Sequence, residues 1–406
     1  MNLRTETLPT TVAEFEALGT RIRDQPHFRL PLLWGLGGQV HTGGRTSILA
    51  SAHFPQVNGH GQNLNALAIL YSALGLDEVS GVVNVEPTVE QIDLAAHMFG
   101  VFNNDGKRHG NILAIKAAHH ALLNSMGKPV FTALYDQVPC QTVEDATLRL
   151  YGLSGRHFEP NTLNLDGIFG VLPTVAWQGS TPIDPEQVDD RLFDAAFGGK
   201  PFNPIGDDKF PYYIHRINAA KDGIRVIDAA KVRLGAYLGK GTTVMPGASG
   251  VNFNAGCAGD NMVEGRISSS AFIGVGTHVG GGASIIGTIS GGNKDPIRVG
   301  DHGLLEINSM LGISLGDACI VGANCAVTAG SKVCVKHAGL RLWVPARRLS
   351  GVSGVTFRTD SMGGGIEVVQ TDRNLERIEL LADDARKNTA RNLFGDQGVI
   401  RPLLPA

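Results

Sequence analysis

The segment MVEGR places a carboxylate, Glu264, beside a small residue and two positions before a cation. A positioned carboxylate can remove the proton of an amine as that amine attacks a carbonyl carbon. The guanidinium of Arg266 has the planar geometry to grip a carboxylate through two hydrogen bonds. A solvated loop carboxylate and a surface ion pair are the ordinary alternatives. The two residues therefore form a candidate site only if the surrounding elements hold both beside a ligand.

A glycine-rich run follows shortly after this pair. Its members are Gly280, Gly281, Gly282 and Ser284. A backbone without side chains can approach a ligand closely, and a free N–H group within it could stabilise a developing oxyanion. For any single glycine, backbone geometry is the more common explanation.

The element that must position these residues is a repeat of six. From Val226 onward an aliphatic residue recurs at every sixth position, with Gly, Ala or Ser common just after it. This period matches neither a helix, at roughly 3.6 residues per turn, nor a lone strand, but it suits a triangular coil with one short strand per side. The positions in phase are Val226, Val232, Leu238 and Val244, then Ile267, Ile273, Val279 and Ile285, then Ile297, Gly303, Ser309, Leu315, Val321, Val327 and Val333.

Two interruptions of the repeat are candidate functional loops. The first is NFNAGCAGDNMVEGR, residues 252–266, and the second is TISGGNKDP, residues 288–296. Because a coil that fills its own core needs no insertion, we expect both to leave the coil. Small residues at the corners of the coil account for the 53 glycines of the chain.

Composition restricts the partners. The net charge of −3 and the pI near 6.5 give no electrostatic footprint for nucleic acid or an anionic membrane, which favours small-molecule ligands. The sequence shows neither a signal-peptide pattern nor a run of about twenty apolar residues, so we expect a cytoplasmic protein. The five cysteines form no CxxC pair and are predicted to be small buried apolar residues.

The chain divides into four predicted segments, and its fold class is predicted as mainly β with an α/β N-terminal domain. Residues 1–155 carry helical and strand patterns, among them the helices TVEQIDLAAHMFGVF and GNILAIKAAHHALLNSMG. Residues 156–222 form a connecting region that resembles an extended crossover. Residues 223–336 form the parallel β-helix of hexapeptide repeats, and residues 337–406 a hairpin followed by a polar amphipathic helix.

Several longer motifs resemble those of the tetrahydrodipicolinate N-succinyltransferases. The resemblance extends in order from Asn161 to Val369 and is less clear over the first 150 residues. It implies that the β-helix is left-handed and that the chain forms a homotrimer with active sites between the β-helices of neighbouring subunits. It also implies that a succinyl group passes from succinyl-CoA to a cyclic imine dicarboxylate, which opens to an amino-keto acid. The motifs are NLDGIFGVLPTVAW, VRLGAYLGKGTTVMPG, VNFNAG, MVEGRISSS, VGGGASIIGTISGG, GISLGD, VTAGSKV, ARRLSG and FRTDS.

The same resemblance implies roles for individual residues. Glu264 corresponds to the catalytic glutamate, acting either as general base or through a covalent acyl-anhydride. Arg266 would hold the succinyl carboxylate, and Gly287 would donate to the oxyanion. By their charge alone, Arg347, Arg348 and Arg358 could attract the phosphates of CoA, and a solvated charged face is the ordinary alternative. The positions that match contacts to succinyl-CoA are Gly281, Ser284, Ile307, Gly322, Ala323, Gly330, Arg358, Thr359, Asp360 and Ser361.

Two departures from the family pattern bear on specificity and on metals. The family usually has GAN where this chain has Glu306 and Ile307 before an asparagine, and an acidic residue where it has Gly322, so acceptor specificity could differ. Some relatives bind a metal through two acidic residues. Lys231 and the MPGASG stretch occupy the matching positions, so no metal site is predicted.

Other functions of a hexapeptide coil stay open. A zinc hydratase needs three converging histidines, and His278, His302 and His337 show no ligand-like spacing. Acetyltransferases that use a histidine base fit less well than a glutamate-based enzyme. An acyltransferase with another amino-acid acceptor and a non-catalytic scaffold are the remaining alternatives.

Overall fold

The protein, represented by a computed structural model, is mixed α/β with many parallel strands. The structure describes residues 8–43, 47–77, 79–103, 109–204, 206–212, 222–287, 295–337 and 340–371. One compact unit comprises the chain up to Phe158 together with Thr162–Pro211, and the other comprises Glu159–Asn161 and the chain from Tyr212. No helix within the described ranges is long and apolar enough to cross a membrane.

The first unit is built on an antiparallel sheet and its helices. Its elements up to residue 154 are α1 (Val12–Arg23), β1 (Leu33–His41), β2 (Leu49–His53), β3 (Val57–Gly59), α2 (Leu64–Ala73), β4 (Val82–Val85), α3 (Val89–Met98), a 3₁₀ helix (Phe99–Phe102), α4 (Gly110–Leu123), β5 (Pro129–Leu134) and α5 (Val143–Ser154). The strand order is β2-β1-β5-β4, with β3 also paired to β1. Helices α3 and α4 confirm the two helices predicted from the sequence.

Local sequence determines where these helices begin and what holds the unit. Thr11, Thr88 and Thr142 accept backbone N–H groups at the starts of α1, α3 and α5. Asp145 and Arg149 form a completely buried ion pair on α5. Arg149 also donates to two backbone carbonyl groups outside its helix. These hydrogen bonds satisfy the buried guanidinium and attach two neighbouring loops to α5.

The predicted extended crossover proves to be structured. It contains α6 (Ile168–Val171), β6 (Val175–Gln178), β7 (Thr181–Ile183), a 3₁₀ helix (Pro185–Gln187) and α7 (Val188–Ala196), and β8 (Gly206–Asp208) follows. Strands β7, β6 and β8 form a small antiparallel sheet. Trp177 is buried and donates from Nε1 to the carbonyl of Asp208 at 3.1 Å. The prediction was wrong because strands of three or four residues between turns resemble a loop in composition.

The second unit contains three parallel ladders, which the chain visits in rotation. Ladder 1 is β9 (Arg225–Val226), β11 (Thr243–Val244), β14 (Met262–Val263), β17 (His278–Val279), β20 (Leu304–Leu305), β22 (Ile320–Val321) and β26 (Val355–Thr359). Ladder 2 is β12 (Gly250–Val251), β15 (Arg266–Ile267), β18 (Ser284–Ile285), β21 (Met310–Leu311) and β23 (Ala326–Val327). Ladder 3 is β10 (Ala236–Lys240), β13 (Ala255–Gly259), β16 (Phe272–Ile273) and β19 (Arg298–Val299).

One residue of each short strand points into a shared apolar core. Val244, Val263 and Val279 succeed one another on ladder 1, and each is at most 1% exposed. The residue before each of them points outward, as the twofold period of a strand requires. We use the word coil for one passage through ladders 1, 2 and 3.

The first predicted insertion is not a loop. Cys257 pairs with Leu238 and Ile273 on ladder 3, and Val263 pairs with Val244 and Val279 on ladder 1. Both are fully buried. The repeat therefore runs through residues 252–266, and its phase changes because one step is longer and another shorter than six. Of the second predicted insertion, residues 288–294 lie outside the described part of the chain.

The phase predicted for the last run of repeats was also wrong at its start. The paired core residues are Val299, Leu305 and Leu311, two positions after the predicted Ile297, Gly303 and Ser309. A step of only four residues, from Leu311 to Leu315, then restores the predicted phase. The two non-aliphatic residues in the predicted run are thereby explained.

After β23 the chain forms a last group of strands, of which β26 also belongs to ladder 1. The elements are β24 (Lys332–His337), β25 (Leu340–Pro345), a 3₁₀ helix (Ala346–Leu349), β26 and β27 (Ile366–Gln370). One more 3₁₀ helix (Ala229–Lys231) lies near the start of the second unit, after β9. Strands β26 and β27 pair antiparallel and confirm the predicted hairpin. The predicted C-terminal helix lies outside the described residues.

The inward position of Cys257 predicts that its thiol is unreactive in the native protein. Burial raises the pKa of this thiol to about 11, so both access and thiolate are lacking. We expect iodoacetamide to alkylate Cys257 only after denaturation, as located by peptide mass spectrometry. Alkylation of Cys257 in native protein, at a rate close to that in urea, would show that residues 252–266 form an exposed loop.

Candidate active site

The candidate site is a notch at the corner between ladders 1 and 2. Ile267 follows Val263 after only four residues, whereas Val251 follows Val244 after seven and Ile285 follows Val279 after six. The middle corner is therefore shorter than the corner on either side. Glu264 and Gly265 are the two residues at the centre of this notch, between β14 and β15.

One backbone hydrogen bond recurs along this corner and aligns five residues in what we call the outer column. The amide of Glu264 donates to the carbonyl of Val279 at 2.8 Å, and Gly280 donates to Leu305 at 2.7 Å. The same bond is made by the next two members, and each member directly follows a buried residue of ladder 1. The outer column is Glu264, Gly280, Glu306, Gly322 and Arg358.

Backbone contacts require glycine in the notch, at Gly265, and at Gly280 in the next coil. A Cβ atom on Gly265 would lie 2.3 Å from the carbonyl oxygen of Ala283, and one on Gly280 would lie 2.9 Å from that of Leu305. Gly281, by contrast, has room for a methyl group, whose nearest neighbour would be Glu264 Oε2 at 3.9 Å. The half-buried side chain of Glu264 therefore extends over the first turn of the following coil.

Arg266 and Ser284 lie together on the outward side of ladder 2, directly beyond the notch. They are register partners of β15 and β18. The guanidinium donates to Ser284 Oγ from Nε at 3.1 Å and from Nη2 at 2.9 Å. Within the described ranges no carboxylate forms an ion pair with Arg266. The notch thus combines a carboxylate with an oriented guanidinium that is available to an anionic ligand.

Residues predicted to contact succinyl-CoA occupy the following turns of the same corner. Ile307 is 56% exposed, and Gly322 and Ala323 lie one coil farther along. The carboxylate of Glu306 accepts the amide N–H of Ala323 at 2.9 Å. The structure therefore brings Glu264, Gly281, Ile307 and Ala323 to one edge in consecutive coils, an arrangement that the sequence alone did not specify.

Arg358 ends the outer column and lies in a cluster that sequence reasoning missed. Its Nη2 is 3.4 Å from Glu367 Oε2, and Lys336 pairs with the same buried carboxylate. Asp360 begins a tight turn, where its carboxylate accepts the N–H of Met362 at 3.0 Å. That bond is the main cause of a lowered pKa for Asp360. Thr359 and Ser361 are exposed beside it.

The remaining predicted residues lie away from the notch. Gly287 follows β18, and a Cβ atom there would be 2.8 Å from the carbonyl oxygen of Ser269. It therefore lies at the carboxyl ends of the ladder 2 strands, whereas Glu264 lies at their amino ends. Gly330 follows β23 at the same end. Arg347 and Arg348 are exposed on the 3₁₀ helix after β25. Within this single chain, the structure does not bring these four residues to Glu264.

The histidines of the repeat region have structural roles. His278 Nδ1 accepts the N–H of Met262 at 3.0 Å, and His302 occupies a left-handed corner position with φ of 57°. Among the described residues there is no group of three or more His, Cys, Asp or Glu side chains arranged to hold a metal ion. The side chain of His337 lies outside the described part.

Comparison with known proteins identifies the group to which the chain belongs. Residues 13–170 match the family model described as tetrahydrodipicolinate N-succinyltransferase N-terminal. The match includes the N-terminal residues whose resemblance was less clear from the motifs.

Several relatives match the chain over nearly their whole length. The chain is 35% identical to 2,3,4,5-tetrahydropyridine-2,6-dicarboxylate N-succinyltransferase of Nitratiruptor over 91% of this chain and 99% of the relative. It is 34% identical to the Helicobacter pylori protein of that name over 91% and 98%. A solved structure of a 2,3,4,5-tetrahydropyridine-2-carboxylate N-succinyltransferase from Campylobacter jejuni superposes with a TM-score of 0.80 at 33% identity, covering 90% of this chain and 99% of that one.

These likenesses and the notch define an acyltransferase. More narrowly, the chain belongs to the tetrahydropyridine-dicarboxylate N-succinyltransferase family. The family resemblance drawn from the motifs is confirmed.

The close contacts at the notch predict unequal effects of two glycine substitutions. Gly265→Ala forces a methyl group against a backbone carbonyl and should lower the free energy of unfolding by about 3 kcal/mol. Gly281→Ala meets nothing closer than 3.9 Å and should change it by less than about 0.5 kcal/mol. Thermal unfolding of both variants, followed by calorimetry, measures the difference. Equal melting temperatures would contradict the short-corner geometry.

Proposed function

We propose that the protein transfers the succinyl group of succinyl-CoA to the amino group of the ring-opened form of tetrahydrodipicolinate, an amino-keto dicarboxylate. The observation that carries this proposal is the notch, where Glu264 lies beside a guanidinium that has no carboxylate partner among the described residues. The names of the relatives give the acceptor and the transferred succinyl group, and CoA as its carrier is part of the proposal.

In the proposed reaction the acceptor amine attacks the thioester carbonyl carbon. Glu264 accepts the proton that the nitrogen loses as the new C–N bond forms, the C–S bond breaks, and CoA leaves as a thiol after taking up a proton. We favour this general-base route because one proton transfer to Glu264 is sufficient, whereas the acyl-anhydride route adds a covalent intermediate. A succinyl group bound to Glu264 after incubation with succinyl-CoA alone would indicate the acyl-anhydride route instead.

The donor is proposed to lie along the corner between ladders 1 and 2. Its succinyl carboxylate would pair with Arg266, whose guanidinium Ser284 already orients. Four steps of about 4.8 Å between neighbouring parallel strands separate Glu264 from Arg358, a total of about 19 Å, which suits an extended thiol arm. Lys336 and Arg358 would then face the phosphate-bearing end of CoA.

We further propose that the ladders close into a left-handed parallel β-helix and that three copies associate. Glu264 lies before the ladder 2 strand β15, and Gly287 lies after the next strand of that ladder, β18. At the usual rise per residue of a strand, the width of ladder 2 separates the two residues by at least about 10 Å. A site that uses both residues therefore needs two copies of the chain, which supports shared active sites in a homotrimer. The outward residues Met262, Leu304 and Ile320 of ladder 1 provide an apolar surface for association. Light scattering coupled to size-exclusion chromatography measures the assembly.

The proposal requires no metal, and we place the reaction in the cytoplasm. All five cysteines are free thiols, which fits a reducing compartment. Gly287 is proposed as the oxyanion donor, while Gly330, Thr359, Asp360 and Ser361 complete the proposed contacts to CoA.

Replacing the proposed base tests the mechanism. Glu264→Gln keeps the size of the side chain but removes the proton acceptor, so kcat should fall by roughly 10²- to 10⁴-fold with little change in KM. Thiol release from succinyl-CoA, with tetrahydrodipicolinate as acceptor, gives both constants. Unchanged melting temperature and assembly serve as controls. A variant that retains full turnover would exclude Glu264 as the base.

Donor choice tests the role of Arg266. Arg266→Met should raise the KM for succinyl-CoA by about tenfold or more, because it removes a charge-assisted hydrogen bond to the succinyl carboxylate. Acetyl-CoA has no such carboxylate, so the substitution should leave the rate of thiol release from acetyl-CoA unchanged. Equal losses with the two donors would argue against carboxylate recognition by Arg266.

A further inference from the structure

Glu306 is a second carboxylate on the outer column, two coils from Glu264. Both residues follow a buried residue of ladder 1, and Gly280 lies between them in the column. Two strand spacings of about 4.8 Å separate them by about 10 Å along the corner. Because Gly280 has no side chain, nothing on the column stands between the two carboxylates.

The carboxylate of Glu306 is held in a defined place. Oε2 accepts the N–H of Ala323 from the next coil at 2.9 Å, and the side chain is half-buried. No described cation forms an ion pair with it. An ionised carboxylate has two oxygens that accept hydrogen bonds, and only Oε2 of Glu306 is used by Ala323. The other oxygen can therefore accept an N–H group of a ligand while the side chain stays in place.

The charges of the two substrates decide which of them Glu306 can contact. The succinyl group and the acceptor both carry carboxylates, which a second fixed carboxylate would repel. The thiol arm of CoA is uncharged and contains two secondary amides, each with one N–H. By ordinary bond lengths, the amide farther from sulfur lies about 10 Å from the acyl carbon in an extended arm. That distance equals the spacing between Glu264 and Glu306 on the column.

We propose that Glu306 is a specificity residue for the donor, accepting an amide N–H of the thiol arm and thereby setting its register against Glu264. This inference rests on the proposed function. It also assigns the Ala323 N–H a positioning role, since that group orients the carboxylate and is not left for the ligand.

The experiment compares donors that differ in their amides. Glu306→Ala should raise the KM for succinyl-CoA by about tenfold, the usual effect of losing a hydrogen bond to a charged group, while the acceptor KM stays unchanged. With S-succinyl-2-mercaptoethanol, which has no amide, wild type and variant should have the same kcat/KM. An unchanged donor KM, or an equal loss with the amide-free thioester, would overturn the proposal.

Matched variants separate recognition from folding. Asp301→Asn alters another corner carboxylate, which accepts the Val275 N–H at 2.8 Å, and should leave the donor KM unchanged. Glu306→Gln preserves the side-chain shape and should raise the donor KM less than Glu306→Ala does. An increase in Asp301→Asn equal to that in Glu306→Ala would count against a specific role. Wild-type protein that releases no thiol from succinyl-CoA would instead refute the proposed function itself.

Discussion

The alignment of successive coils depends on one recurring backbone hydrogen bond. From Val263 onward, the residue after each buried residue of ladder 1 donates its amide N–H to the carbonyl oxygen of the buried residue in the next coil. Glu264 makes this bond to Val279, and Glu306 makes it to Val321. Because the bond is made by the main chain, it forms where the outer residue is a carboxylate, as at Glu264 and Glu306, and where it is Gly280. The core thus sets the position of each outer residue, while a nearby carbonyl oxygen restricts the size of the residue at Gly280.

Variation in step length turns this regular edge into a site. A step of four residues between Val263 and Ile267 keeps both in the core and shortens the corner between them. The longer corners on either side then leave Glu264 in a recess. The recess imposes a steric restriction, because a Cβ atom on Gly265 would lie only 2.3 Å from a carbonyl oxygen. The proposed site therefore lies at a shortened corner, and not on an inserted loop as the sequence pattern indicated.

Electrostatics divides the edge into regions. The guanidinium of Arg266 lies beside the notch, two carboxylates occupy the column at Glu264 and Glu306, and the cations Lys336 and Arg358 gather at the far end around Glu367. A donor with a carboxylate at one end, a neutral arm and phosphates at the other end matches this order. The same order disfavours the reverse orientation, which would place phosphates against the two carboxylates.

The sequence by itself determined the period of six, the buried aliphatic positions from Val226 to Val244, the two helices later found as α3 and α4, and the family. These follow from patterns between near neighbours, which a linear chain displays directly. Only the tertiary structure decided that residues 252–266 continue the ladders, that Gly287 lies across ladder 2 from Glu264, and that the carboxylate of Glu306 accepts the N–H of Ala323. The partners on ladder 1 are 16, 26, 16 and 36 residues apart after Val263, so irregular spacing hides the column until the strands are paired.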